Sequence, residues 1–403
     1  MKIAIVGGGP SGLYLAILVK RRQPSWPVSV IEQNVADSTF GFGVVLADSG
    51  LARIQAADPQ VYDKLIAKMT FTGCQTINLK EQPIDINHPA KGGAIARIDL
   101  LHALQETAAE AGVDVRFGQR IAHPDELARL GLGDADVIVG ADGVNSVVRA
   151  AHEEGFGTQR SFLTNHFAWF GTQKVFDKSA LVFREYQGGA FIAHYYPYCD
   201  TGSTFVAECD HATWLKLGLE AMTDDERQQL FEKIFAPELA GEKLISNNSN
   251  WRQFPVTHNQ HWTVGNCVLI GDAQTSAHFS IGSGTRIAME DSIALAEALT
   301  ESAPAGSPEP TALQRLATFA ARRGPEKDKL LTASRKSYLW YEDIGQWMQR
   351  YTPFEFIHAF MTRTGRMGND RLAQQYPELF AQFEKAGVLK KPAAQPEESG
   401  HPA

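Results

Sequence analysis

Three glycines near the start of the chain have the spacing Gly-x-Gly-x-x-Gly, at Gly7, Gly9 and Gly12. They follow an apolar run over residues 2–6, which predicts a buried strand, and they open a helical pattern over residues 11–22. A glycine turn between a strand and a helix lets the backbone approach a pyrophosphate, whose charge the helix N-terminus attracts. The pattern therefore predicts a dinucleotide site, against the alternative of a plain turn in an α/β domain.

Three polar residues close to that turn would complete the site. Ser11 can donate its hydroxyl group to the phosphates, and Glu32 closes the next predicted strand, 28–32, twenty residues after Gly12. A carboxylate at the end of this strand can accept hydrogen bonds from a ribose. Gln33 follows Glu32 directly, and we assign it to the same site.

Two later segments also place a carboxylate at the end of a predicted buried strand. They hold Asp142-Gly143 within residues 136–149, and Gly271-Asp272 followed by Gly282-x-Gly284 within residues 268–295. A carboxylate in such a turn could accept hydrogen bonds from a polyol such as a ribityl chain. Each segment taken alone is equally compatible with an ordinary connection between a strand and a turn.

Composition excludes several classes of protein. The chain has 403 residues, of which 44% are hydrophobic and 21% charged, as in a soluble globular protein. Lys and Arg total 38 against 46 Asp and Glu, and the formal charge of −8 argues against a nucleic-acid partner. No window approaches the ~18 apolar residues of a membrane span, and the four cysteines lack the close spacing of a metal or redox site. We expect a cytoplasmic protein without a metal and without membrane or nucleic-acid partners.

The three segments together resemble the single-component FAD monooxygenases, the family of flavoprotein aromatic hydroxylases typified by para-hydroxybenzoate hydroxylase. The resemblance implies that the glycine motif binds the ADP part of FAD, that Asp142 serves FAD and NADH or NADPH, and that Asp272 holds the ribityl chain. It also implies that Arg97, which opens a predicted helix, contacts the diphosphate side of FAD. The resemblance covers residues 1 to about 300.

A narrower resemblance is to salicylyl-CoA 5-hydroxylase, anthraniloyl-CoA monooxygenase and the tryptophan hydroxylase of violacein synthesis. It depends on residues 39–45, 191–196, 203–209 and 278–282. It implies an aromatic substrate carried as a CoA thioester, or an indole. Within these and the adjoining segments we assign four residues to the cofactor site, namely Gly43, Val44, Gly282 and Gly284.

These features predict an α/β fold, with a Rossmann-like FAD-binding domain, an inserted antiparallel β-sheet and a C-terminal helical part. The predicted parts are an FAD-binding domain over 1–165, in which 71–96 could contribute to the substrate sheet, an antiparallel substrate domain over 166–262, a return to the FAD-binding domain over 263–300, C-terminal helices over 312–388 and a disordered tail over 389–403.

His278 is the candidate catalytic residue, because the resemblance places its loop over the flavin and beside the substrate ring. It would either hydrogen-bond a ring substituent or take its proton, and the alternative is a hydrogen-bonded loop histidine. Phe279, His194 and Tyr195 are the candidate substrate contacts. Because side chains alternate along a strand, His194 and Tyr195 point to opposite faces, and at least one of them is expected to pack in a core.

The resulting hypothesis is an FAD-dependent monooxygenase that hydroxylates an aromatic substrate with NADH or NADPH and O₂, through a flavin C4a-hydroperoxide. The expected substrate is an aromatic acyl-CoA such as salicylyl-CoA. Two alternatives stay open: a hydroxylase of an indole or tryptophan-derived pigment, and a nucleotide-fold binding protein without redox chemistry. We expect a monomer or a homodimer.

Overall fold

The computed structural model describes residues 1–282 and 284–390, so the predicted tail over 389–403 lies outside the described residues from position 391 onward. The strands are β1 (Ile3–Val6), β2 (Val28–Ile31), β3 (Gly43–Leu46), β4 (Thr70–Leu79), β5 (Gln82–Ala96), β6 (Asp114–Arg116), β7 (Val137–Gly140), β8 (Thr158–Thr172), β9 (Ser179–Tyr186), β10 (Gly189–Cys199), β11 (Gly202–Cys209), β12 (Leu244–Ile245), β13 (Arg252–Asn259), β14 (Thr263–Val264) and β15 (Cys267–Leu269).

The α-helices are α1 (Pro10–Arg22), α2 (Asp48–Ala57), α3 (Pro59–Ile66), α4 (Arg97–Glu110), α5 (Val147–Ala151), α6 (Glu153–Phe156), α7 (His211–Lys216), α8 (Asp224–Ile234), α9 (Ala236–Leu239), α10 (Gly284–Thr300), α11 (Ala312–Glu342), α12 (Ile344–Arg350), α13 (Pro353–Thr362), α14 (Asn369–Gln375) and α15 (Pro377–Lys385). Short 3₁₀ helices cover Pro124–Leu130, Leu219–Ala221, Gly271–Ala273, Phe279–Ile281 and Val388–Lys390.

The described chain divides into two compact units. Unit 1 comprises residues 1–70, 93–162 and 255–331, and unit 2 comprises residues 71–92, 163–254 and the described chain from 332 onward. The predicted C-terminal helices over 312–388 are divided between the units. The physical reason lies in α11, whose Phe319 packs in a core of unit 1 while its Trp340 packs in a core of unit 2.

Unit 1 contains a six-stranded sheet in the order β14–β15–β7–β1–β2–β6. All neighbours pair in parallel except β14 and β15, which are antiparallel. The apolar runs of β1 and β2 are buried along their whole length, as is typical of strands covered on both faces. Because β1 lies between β2 and β7, the winding reverses at β1, and ligands of such sheets bind at the carboxyl ends of the strands beside that point.

Unit 2 contains a sheet in the order β12–β8–β11–β10–β9–β4–β5, mostly antiparallel, with β4 and β9 parallel. Two separate apolar cores cover its two faces. Trp340 and Phe356 belong to the core that α11–α15 form on one face, which we call face A. Trp214 and Phe231 belong to the core that α7–α9 form on the other, which we call face B. A parallel sheet with helices and an antiparallel sheet confirm the predicted α/β class.

Within the described residues, none of the helices is both long enough and apolar enough to cross a bilayer.

Candidate active site

The glycine motif forms the turn between β1 and α1. Gly7 has a φ of +107°, and a Cβ atom at Gly7 or at Gly12 would overlap a backbone carbonyl oxygen, so both positions require glycine. At Gly9 the space where a Cβ atom would stand is open, and the N-terminus of α1 has no side-chain cap. The turn therefore leaves an open approach and uncapped N–H groups, an arrangement that fits a diphosphate.

Glu32 lies after β2 and already binds the protein through both carboxylate oxygens. One oxygen accepts a hydrogen bond from Gly8 N at 2.7 Å, and the other accepts from the backbone and side-chain amides of Asn34 at 2.8 and 2.7 Å. A carboxylate has about four acceptor positions, so Glu32 has room for one further donor, such as a ribose hydroxyl. Gln33 is exposed beside it.

Asp142 lies in the turn after β7, and one of its oxygens is buried without a partner. Oδ2 accepts a hydrogen bond from Val147 N at 2.7 Å, whereas Oδ1 has no hydrogen-bond partner in the described structure. Burial raises the pKa of the Asp142 carboxyl, although Ser146 and the amide of Val147 oppose the shift. A buried acceptor of this kind needs a donor from outside the protein, and a sugar hydroxyl fits that need.

Asp272 lies in the turn after β15, where Gly271 has a φ of +60°. Solvent reaches the Asp272 side chain, yet desolvation raises its pKa against the opposing charges of Lys327 and Arg97. The Asp272 carboxylate is therefore surrounded by other protein groups while it stays accessible to solvent. It accepts no hydrogen bond from the described part of the chain, which leaves the carboxylate for a polyol.

Arg97 is the first residue of α4, and it is tied to the loop before β3. Its backbone N–H donates to Phe42 O at 2.7 Å, while Gly43 and Val44 pair with Ala96 and Ile95 of β5. Burial lowers the pKa of the Arg97 guanidinium, and Asp272 opposes that shift. The assigned residues Gly43 and Val44 thus fix the position of Arg97.

Asp291 on α10 is a site residue that the sequence analysis missed. It is completely buried, and its Oδ2 accepts hydrogen bonds from Gly271 N at 3.0 Å and from Lys327 Nζ at 2.7 Å, while Oδ1 accepts from Arg323 Nε at 2.8 Å. The neighbouring Glu290 also pairs with Arg323, at 3.1 Å. Asp291 therefore holds the backbone that carries Asp272. The available signal was the charged pair 290–291 inside an otherwise apolar helix face.

His278 and Phe279 lie in the loop before α10. The His278 side chain is 3% exposed, its ring stacks on Phe279 with centroids 4.2 Å apart, and its Nδ1 accepts a hydrogen bond from Ser280 N at 3.1 Å. A neutral imidazole that accepts at Nδ1 carries its proton on Nε2. In this tautomer His278 offers a donor, and accepting a substrate proton would require a different tautomer and the loss of the Ser280 bond. Gly282, with a φ of +56°, and Gly284 follow.

The two substrate candidates in unit 2 point to opposite faces of the sheet. Tyr195 packs into the core on face B, where its ring stacks on Phe176 with centroids 3.8 Å apart. His194 lies on face A, next to Tyr196 at 5.3 Å between centroids. His194 is partly exposed, but desolvation by burial lowers its pKa to about 4. The imidazole of His194 is therefore neutral near pH 7.

Unit 1 brings the three predicted segments together at the carboxyl ends of its strands. A Cβ atom at Gly7 would meet Ala141 and Asp142, and a Cβ atom at Gly271 would lie 3.1 Å from the Ser11 hydroxyl. Asp272 and Arg97 interact electrostatically. The glycine turn, the unpaired oxygen of Asp142, the Asp272 carboxylate and the Arg97 guanidinium thus belong to one site. This set of groups fits a flavin dinucleotide.

Comparison with known proteins identifies the family. Residues 1–329 match the FAD binding domain family, and the chain belongs to it. The chain is 36% identical over 373 residues to salicyloyl-CoA 5-hydroxylase of a Streptomyces species, covering 90% of this chain and 70% of that protein. It is 31% identical over 367 residues to protodeoxyviolaceinate monooxygenase of Chromobacterium violaceum, covering 90% and 94%. This chain is an FAD-dependent aromatic monooxygenase, which excludes the alternative of a binding protein without redox chemistry.

Two further matches extend this result. A 3-hydroxy-4-methyl-anthranilyl-[aryl-carrier protein] 5-monooxygenase of Streptosporangium sibiricum is 32% identical over 341 residues, covering 85% of this chain and 89% of that protein. The solved structure of a 2-methyl-3-hydroxypyridine-5-carboxylic acid oxygenase has the same fold, with a TM-score of 0.69 at 20% identity, covering 92% of this chain and 95% of that one. NADH or NADPH is the electron donor typical of the family.

Proposed function

We propose that this enzyme hydroxylates an aromatic ring carried as a CoA thioester, with salicyloyl-CoA as the first candidate. The observation that carries the proposal is the 36% identity to a salicyloyl-CoA 5-hydroxylase over 90% of the chain, which includes both units. The balanced reaction converts the aromatic substrate, O₂, NAD(P)H and H⁺ into the hydroxylated product, NAD(P)⁺ and water.

Unit 1 is proposed to bind FAD and unit 2 to hold the substrate. The uncapped turn at Gly9, with Ser11 and Arg97, would bind the diphosphate, Glu32 and Gln33 the ribose, and Asp142 and Asp272 the remaining hydroxyl groups. When bound, FAD supplies the redox chemistry that accepts a hydride from NAD(P)H and delivers one oxygen atom of O₂ to the ring.

The chain's own residues would position the ring and exclude water. Face A of the sheet presents His194 as a neutral group in a desolvated environment, which suits an uncharged aromatic ring. We propose that His278, whose Nδ1 accepts a hydrogen bond from Ser280 N, contacts a polar substituent of the substrate ring. The stacked Phe279 would keep the imidazole plane in place.

A hydroxylase of an indole-derived pigment is the second candidate. It is favoured by the match to protodeoxyviolaceinate monooxygenase, because that match extends over 94% of the related protein. A polycyclic indole would need no phosphate recognition, whereas a CoA thioester would, and the two candidates differ in this requirement.

The test measures product formed per NAD(P)H oxidised, with salicyloyl-CoA, free salicylate and protodeoxyviolaceinate as substrates of the FAD-loaded enzyme. We expect salicyloyl-CoA to stimulate NAD(P)H oxidation with nearly one product per NAD(P)H. Coupled hydroxylation of protodeoxyviolaceinate and none of the thioester would replace the first candidate by the second.

Location and assembly also belong to the proposal. Because NAD(P)H is available in the cytoplasm, we propose that the enzyme works there, as a monomer or a homodimer. Light scattering after size-exclusion chromatography of the FAD-loaded protein would give the mass, and a mass that corresponds to three or more chains of 44.2 kDa would contradict this assembly.

A further inference from the structure

A cluster of exposed cations lies on unit 2, on the helices that cover face A. Lys336 on α11 reaches the loop between α13 and α14, where its Nζ would lie 3.3 Å from a Cβ atom at Gly365. Arg371 Nη1 donates to the backbone oxygen of Arg366 in the same loop, at 3.2 Å. Lys336, Arg366 and Arg371 are all exposed, and we call these three residues the basic patch.

The three cations of the basic patch lie close together without a carboxylate partner among the described residues. None of its three cations forms an ion pair with the described residues, and the neighbouring Arg335 forms none either. Elsewhere in unit 2 some cations are paired, as Lys178 is with Asp85 and Arg184 with Glu238. Others, such as Lys216 and Lys233, form no ion pair with the described residues, but they are not grouped as the three patch residues are. In a chain with a formal charge of −8, such a local excess of positive charge attracts an anion.

Face A connects the basic patch with His194. Val206 is paired directly with His194, and Glu208, two residues further on β11, lies about 7 Å along the strand. Asn165 Nδ2 donates both to Glu208 Oε1 at 3.0 Å and to Tyr341 O at 2.9 Å. Tyr341 lies on α11, five residues or about 8 Å beyond Lys336. The patch and His194 therefore belong to the same unit and are linked through β11, Asn165 and α11.

We propose that the basic patch binds the 3′-phosphate and diphosphate of a CoA thioester whose aromatic acyl group lies near His194. This inference depends on the proposed function and adds the place where the carrier is recognised. Guanidinium groups bind phosphate through two parallel hydrogen bonds and an ammonium group acts as a compact charge, so Arg366, Arg371 and Lys336 match a polyphosphate. When the basic patch binds the nucleotide part of CoA, the pantetheine arm can carry the acyl group to the neutral environment of His194.

The experiment compares two thioesters of salicylate on the FAD-loaded enzyme. Salicyloyl-CoA has the nucleotide, and the N-acetylcysteamine thioester has the same acyl group without it. In K336E/R366E we expect the KM for salicyloyl-CoA to rise at least about tenfold, while kcat and the KM for the short thioester change less than about twofold. The matched control K216E/K233E changes the charge equally on α7 and α8, on face B, and should leave both KM values within about twofold.

A second measurement keeps the inference independent of catalysis. Binding of CoA itself to the FAD-loaded wild type, followed by calorimetry at two salt concentrations, should weaken with added salt and should fall at least about tenfold in K336E/R366E. Unchanged CoA binding or unchanged KM in that variant would overturn the basic patch, even if salicyloyl-CoA is hydroxylated. Wild type that binds CoA at the patch but hydroxylates no salicylate thioester would overturn only the proposed substrate. If K336E/R366E lost activity only toward salicylate attached to a carrier protein, and not toward salicyloyl-CoA, CoA would be excluded as the ligand of the patch.

Discussion

Two buried carboxylates, one in each unit, differ in how their charge is compensated. In unit 1 the buried Asp291 is charged and compensated, because Lys327, Arg323 and Gly271 N all donate to it. In unit 2 the buried Glu208 receives one amide from Asn165, and burial raises its pKa to about 8, with Glu342 and Asp210 adding to the shift. His194 is likewise kept neutral by desolvation. Asp291 is thus a buried carboxylate with two cationic partners, and Glu208 is a buried carboxylate whose hydrogen-bond partner is a neutral amide.

Removal of Asp291 should have the largest effect. Asp291→Ala leaves Lys327 and Arg323 buried without a full complement of negative charge, and breaking such a pair costs about 3–5 kcal/mol. We expect urea unfolding to show this loss, together with weaker FAD retention because the Gly271 turn loses its anchor. The exposed Asp63→Ala is the control. In D291N/K327M both charges are absent, so the loss in free energy of unfolding should be smaller than in D291A. An equal loss would show that unpaired positive charge is not the cause of the destabilisation.

Glu208 should make unit 2 sensitive to pH. Because its pKa is raised in the folded state, the folded protein keeps a proton that the unfolded chain has released, so stability falls as pH rises from about 5 to 8. The contribution is at most about 1.4 kcal/mol per pH unit. Urea unfolding between pH 5 and 8 should show a shallower fall for Glu208→Gln than for wild type, and the exposed Glu220→Gln should follow wild type. Parallel curves for wild type and E208Q would mean that Glu208 does not titrate in this range.

Asp272 is a third kind of carboxylate, one in unit 1 that accepts no hydrogen bond from the described residues. If its partners are hydroxyl groups of FAD, Asp272→Ala should weaken FAD binding by roughly 1–3 kcal/mol, about ten- to hundredfold, with little change in the stability of the apoprotein. Fluorescence titration of the apoprotein with FAD measures the affinity, and Asp272→Asn should recover part of it. An unchanged FAD affinity in D272A would place the ribityl chain elsewhere.

His278 in unit 1 accepts a hydrogen bond from Ser280 N, whereas His194 in unit 2 is mainly affected by desolvation. In His278→Asn the shorter side chain can still accept from Ser280 N, so the loop keeps its cap while the Nε2 donor is lost. Loss of one neutral hydrogen bond is worth about 0.5–1.5 kcal/mol. We expect up to about a tenfold fall in product per NAD(P)H, with hydrogen peroxide released instead and FAD retained. Full coupling in H278N and loss of coupling in H278A would reduce the role of His278 to capping.

The sequence predicts the parts that short-range patterns define. The glycine turn, the strand before Asp142 and the Gly-Asp turn each lie within a few residues, and all three segments meet in unit 1. The Asp291 cluster could not be predicted, because Arg323 and Lys327 lie 32 and 36 residues away on another helix. The burial of Glu208 could not be predicted for a similar reason. It follows from the position of β11 between β8 and β10, which only the structure shows.

The smallest effect should come from Tyr195, and it tests the proposal that face A of the unit 2 sheet holds the substrate ring. Alternation along β10 requires that His194 and Tyr195 differ in role, but it cannot say which of them meets the substrate. In the structure both side chains are partly buried, but Tyr195 stacks on Phe176 against the apolar core of face B, whereas His194 lies on face A beside Tyr196. Tyr195→Phe keeps the ring and its packing, so kcat and KM should stay within about twofold of wild type. His194→Gln should raise KM by roughly two- to tenfold through a changed polar contact. A larger change in Y195F than in H194Q would mean that face B, and not face A, holds the aromatic ring.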